Sequence, residues 1–246
     1  MKDHNLIFTL KYKVLFKISI MNLRPSKPTI SVLIMIALCS LLLFIRVYKT
    51  GTSLGFFLVW NLFLAITPIF FIFLAKKLHD NFGFEKLSVK IVIIGLMTTW
   101  LLFFPNSPYI ITDLMHLSHL PKHLLWFDSV GIFITALTGL VVGLYSMYHF
   151  QLLSKKLFGK VIAWFLVLGS AILSGFGLYL GRFARFNSWD LFSNPAQLIK
   201  QSIIETSNPL AIQTTLVFSI VLIGLYLSFY NLMSFKHENI KNASKF

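Results

Sequence analysis

Residues 105–123, PNSPYIITDLMHLSHLPKH, hold three prolines, one Asp and three of the chain's seven histidines. The types and spacing allow chemistry. Asp113 and His116 are three apart, which puts them on one face of a short helix. An Asp-x-x-His pair can offer a carboxylate and an imidazole to a divalent metal, or serve as a general base with its orienting group. Two ligands do not complete a metal site. Asp128 and Asp190 are the further oxygens available, and His119 and His123 the further nitrogens. A plainer role competes: Asp113 paired with Arg182 or Arg185, and His116 hydrogen-bonded within a loop interface.

A second polar cluster, GRFARFNSWDLFSNP, covers residues 181–195. Arg182 and Arg185 are also three apart. Such a pair can hold a phosphate or carboxylate bidentately, or neutralise Asp113, Asp128 and Asp190. Asn187, Ser188 and Asp190 are turn and N-cap types. Asp190 is expected to cap a short helix, LFSN, and Pro195 to open another running through Ile204. Trp189 suits an interfacial anchor.

The elements that must position these groups are apolar. Hydrophobic residues make up 57% of the 246, charged residues 12%, and 26 are Phe. Soluble domains carry about 25% charged residues, so the composition describes an integral membrane protein. Stretches free of Asp, Glu, Lys and Arg, near the length of about 20 residues that a crossing helix needs, fall at 29–45, 50–75, 91–104, 129–154, 161–181 and 206–235, the last starting near Pro209. Pro68 is expected to kink the second, and Pro105 and Pro108 to stop the third. The expected fold is an all-α membrane bundle of about six spans, with a short re-entrant or interfacial helix after span three that is tolerated only where protein covers its polar groups. Residues 1–28 form a basic segment, too charged to span, 29–235 a single helical domain, and 236–246 a tail. No small-residue cleavage pattern follows the first apolar run.

Of the 22 Lys and Arg, sixteen fall in segments on the side of the N-terminus and six on the other. This bias places both termini in the cytoplasm and both polar clusters outside. The net charge of +14 is then assigned to topology and to anionic lipid headgroups, not to nucleic acid, because no basic stripe interleaves with aromatics in a polar domain. The lone Cys39 excludes an intrachain disulfide and reads as a small buried hydrophobe. Three small-xxx-small pairs, Gly51/Gly55, Gly139/Gly143 and Gly177/Gly181, read as close packing within one bundle before a dimer face. Asn61, Gln213 and Asn231 read as interhelical hydrogen-bonding groups.

Gly-rich phosphate loops, His-Glu-x-x-His and Gly-x-Ser-x-Gly do not occur, and the spans lack the mid-membrane acids and bases of proton-coupled transporters. The blocks PNSPYIITDLMHL, WFD and SGFGLYLGRFARFNSWD resemble a bacterial multi-pass membrane family, domain of unknown function 1361, over residues 51–230. In that family's pattern a Trp is frequent where this chain has Phe186. The resemblance implies an integral membrane protein of the bacterial cytoplasmic membrane and supplies no activity, cofactor or catalytic residue. Three functions follow as expectations: first, an envelope accessory or structural protein; second, an outer-surface enzyme on a lipid-linked or envelope substrate, using Asp113 and His116 with Arg182 and Arg185 as anion holders; third, a small-solute transporter.

Overall fold

A computed structural model describes residues 26–51, 56–119 and 122–243. The basic segment before residue 26 and Gly55 lie outside them. The side chains of His116 and His119 are also outside the description.

Six helices are long and apolar enough to cross a membrane, and among the described residues no strand occurs. They are α1 (Lys27–Thr50), α2 (Phe56–Phe82), α3 (Leu87–Phe103), α5 (Leu125–Phe158), α6 (Lys160–Arg182) and α9 (Pro209–Ala243). Three short helices serve the connections: α4 (Asn106–Tyr109), α7 (Asp190–Ser193) and α8 (Pro195–Glu205). Each expected apolar stretch is found within or overlapping one long helix. Pro195 and Pro209 stand at the first position of α8 and α9, where a missing amide hydrogen costs nothing.

Residues up to Leu38 and those from Cys39 onward form two compact units. The first contains the described residues 26–38, which enter the first half of α1, with Ser26 joined to Thr29 (Oγ–Oγ1 2.9 Å) ahead of the first turn. In the second, α5 is the axis. It packs against α2, α6, α4 and the 3-10 segment Ile110–His119, while α3 lies on α2 and α9 on α6. Burial reflects this: 61% of the most apolar stretch of α5 is buried, against at most 39% in any other crossing helix. The others present Leu, Ile and Phe outward, as lipid contact requires. The α5–α6 corner is turned at Gly159, φ +88°, where a side chain would be strained.

Sequence-level expectations about single residues fared unevenly. Trp100 is fully buried, donates from Nε1 to Ser146 Oγ (3.1 Å) and stacks on Phe150. Trp60 and Trp126 are exposed near the polar end. Gln213 and Asn231 lie exposed on α9 instead of in a helix seam.

Candidate functional site

With 17 residues, α3 rises about 25 Å, short of a bilayer core. The chain continues the crossing as a folded turn, Pro105–Tyr109, then as the 3-10 segment. This piece is wedged into the bundle. Ser107 and Pro108 are buried, as are Ile110, Thr112 and Asp113.

Four glycines make the wedge possible. A Cβ at Gly139 would stand 2.7 Å from Ile110 Cγ2, and one at Gly143 would stand 2.7 Å from Ser107 Cβ. On α6, a Cβ at Gly177 would meet Pro105 Cγ at 2.9 Å and one at Gly181 would meet Tyr109 Cε2 at 3.2 Å. Two of the small-xxx-small pairs therefore form a slot for the PNSPY turn. Ser107 Oγ donates to the Ala65 carbonyl of α2 (2.7 Å).

The two polar clusters meet. Asn106 Nδ2 donates to Ser188 Oγ (3.0 Å) and to the Phe103 carbonyl (2.9 Å), and Ser188 Oγ donates to the Leu102 carbonyl (3.2 Å). Trp189 sits edge-on to Trp60, ring centroids 6.1 Å apart.

Among the candidate residues, Asp113 is the most enclosed. It accepts from Asn61 Nδ2 (2.7 Å) and pairs with Arg182 Nη1 at 3.8 Å. Asp128 is taken elsewhere. Arg46, at the end of α1, donates from Nε to Oδ1 (2.9 Å) and from Nη2 to Oδ2 (3.1 Å), both partners buried. This bidentate geometry is the strong form of the ion pair, and Asp128 also lies in the first turn of α5, where negative charge is favoured. Asp190 serves its own loop, accepting from the Asn187 amide (2.7 Å) and from Ser193 Oγ (3.3 Å). It does not cap α7 through its side chain; Trp189 holds the cap position. Arg185 parts from Arg182 because α6 stops at Arg182 and Arg185 takes φ +60°. It is exposed. The helical spacing that would align the two does not apply. Among the described residues, no three His, Cys, Asp or Glu side chains gather.

Two features eluded sequence reasoning. Arg46 counted only as a loop charge, and nothing in its neighbours marked a partner 82 positions away. Glu205 at the end of α8 accepts from Tyr179 Oη (2.6 Å), Gln201 Nε2 (2.9 Å) and Asn208 Nδ2 (2.8 Å). These bonds, the tyrosine's foremost, hold its carboxyl below the usual glutamate range. Asn61 did carry a signal, as the sole amide in an apolar run.

Beside the interlocked turns lies a cavity of about 340 Å³. Its walls come from α2, α3, α6, α8 and the loop after α6. Asn61 borders both the cavity and Asp113, whereas Asp113 does not itself line it.

Six helices apolar enough to cross a membrane, with a buried polar turn packed against α2, α5 and α6, define an all-α multi-pass membrane protein, suited to a lipid bilayer. The chain belongs to the family described as protein of unknown function, DUF1361, which it matches over residues 60–228. That stretch holds the PNSPY turn, Asp113, Asp128 and Arg182, and leaves out Arg46. No curated protein and no solved structure matches the chain.

Proposed function

We propose that this protein is a non-catalytic accessory or structural component of a bacterial cytoplasmic membrane, with its polar end on the extracytoplasmic side. There the PNSPY turn and the loop after α6 lock the span ends together. One observation carries the reading: Asp113, Asp128 and Asp190 are each engaged by partners within the fold, and none of them lines the cavity. The Lys and Arg bias supports the orientation, and the same cations suit anionic lipid headgroups on the cytoplasmic side.

Asp113→Asn tests the reading. The lock predicts a lower unfolding midpoint in detergent and lower abundance in the membrane, with Arg182→Gln behaving alike. Suppose instead that the Asp113→Asn protein reached wild-type abundance and midpoint while failing to complement a deletion strain. A catalytic Asp113 with His116 would then take over. Stoichiometric metal in the purified wild-type protein would point the same way.

A further inference from the structure

The cavity beside the PNSPY turn has ends of different chemistry. Toward the loops it is bordered by Asn61, Asn106, Asn187, Ser188 and Ser202. Deeper, it is walled by Leu64, Leu101, Leu173 and Phe176. Among the described residues, no Lys, Arg, Asp, Glu or His lines it. Its volume of about 340 Å³ is within the range of small-molecule sites.

Depth and opening follow from the helices. Leu173 is nine residues before the end of α6 at Arg182, so the cavity descends about 14 Å, close to half of a bilayer core of about 30 Å. Trp60 and Leu173 line it while remaining 52% and 55% exposed. The cavity therefore continues onto the lipid-facing surface. In this region α3 rests on α2, α6 rests on α5 and α9, and the PNSPY turn packs against α2, α5 and α6.

The polar end has a direction. Asn61 Nδ2 is committed to Asp113, and Asn106 Nδ2 to Phe103 and Ser188. A carboxylate and a carbonyl can only accept, so both amide orientations are dictated by their partners. What the two amides offer an occupant is their Oδ1 acceptors and the second N–H of Asn61. An occupant able both to donate and to accept suits this end, where Tyr109, Asn187 and Ser202 also line the cavity, and with no lining cation a phosphate head would be buried without a compensating charge. Arg182, next to the lining residue Gly181, is turned to Asp113.

We propose that this cavity binds a single lipid with an uncharged, hydroxyl-bearing head, its hydroxyls donating to Asn61 and Asn106 and its chain leaving between α3 and α6 into the bilayer. The inference stands apart from the structural-lock reading, because a lock needs no ligand and Asp113 need not change for the lipid to bind.

The test uses the full chain in phosphatidylcholine vesicles containing a monoacylglycerol with a photoreactive diazirine in its chain. A matched probe carries a phosphate on the glycerol. The expected result is labelling by the neutral probe at residues 101–105 and 173–181. Leu173→Trp, which fills the wall from an exposed position, lowers that labelling about tenfold, and Phe165→Trp, exposed elsewhere, leaves it unchanged. On the wild type alone, unlabelled monoacylglycerol competes and free glycerol does not. Equal or stronger labelling by the phosphate probe, labelling unaffected by Leu173→Trp, or competition by free glycerol would each overturn the proposal.

Discussion

The Arg46–Asp128 pair shows how much one charge depends on its partner. Both side chains are buried and joined by two hydrogen bonds. Removing one leaves the other charged and desolvated, which costs about 3–5 kcal/mol. Arg46→Ala and Asp128→Ala should each lower the unfolding midpoint in detergent sharply. The double variant Arg46→Met with Asp128→Leu should recover most of the loss, since an apolar pair of similar volume needs no compensation. A double variant no better than the singles would mean the pair has a role beyond charge cancellation. Glu205 supplies a pH dependence. Its folded-state pKa is depressed by the bonds from Tyr179, Gln201 and Asn208. Its stabilisation is therefore complete above the ordinary glutamate value and is lost as pH falls through the lower folded value. Thermal midpoints recorded below about pH 4 should drop more steeply for the wild type than for Glu205→Gln. Parallel curves would remove Glu205 from the account.

At the scale of elements, the PNSPY turn and its glycine slot are one unit. The turn brings polar backbone to membrane depth, which is tolerable because α5 and α6 cover it. The cover is close only because Gly139, Gly143 and Gly177 have no Cβ. Gly143→Ala should destabilise by about 1–3 kcal/mol, the usual cost of overpacking, and Gly177→Ala likewise against the ring of Pro105. Gly131 and Gly224 face open space. Alanine there should be neutral or stabilising by up to about 1 kcal/mol. The comparison of these four variants in one thermal assay separates slot packing from helix propensity. If all four behaved alike, the slot would not be what the glycines are for.

For the whole molecule, an even number of crossings predicts both chain ends on one side of the membrane, and the orientation proposed from the cation bias predicts that side to be the cytoplasm. A reporter after Phe246 should be active only in its cytoplasmic form, and one inserted near Lys122 only in its external form. The opposite pattern would move the polar end and the cavity mouth to the cytoplasm. It would leave the cavity's chemistry untouched, since Asn61 and Asn106 keep their partners in either orientation.

What the sequence determined by itself was the set of crossings. A membrane helix must satisfy its backbone internally and face lipid with apolar groups, so 57% hydrophobic residues in runs between cations describe six spans without reference to their neighbours. The prolines of PNSPY and at Pro195 and Pro209 likewise marked breaks and starts through purely local sterics. Partnership was different. Asp113, Asp128 and Asp190 had the same two cations, Arg182 and Arg185, as expected partners, and residue type cannot rank them. The fold decided, giving Asp113 to Asn61 and Arg182, Asp128 to Arg46, and Asp190 to its own loop. It also showed what two glycine pairs, read only as close packing within the bundle, pack against: the PNSPY turn. Ion pairing and close packing depend on distance in space, and the sequence orders residues only along the chain.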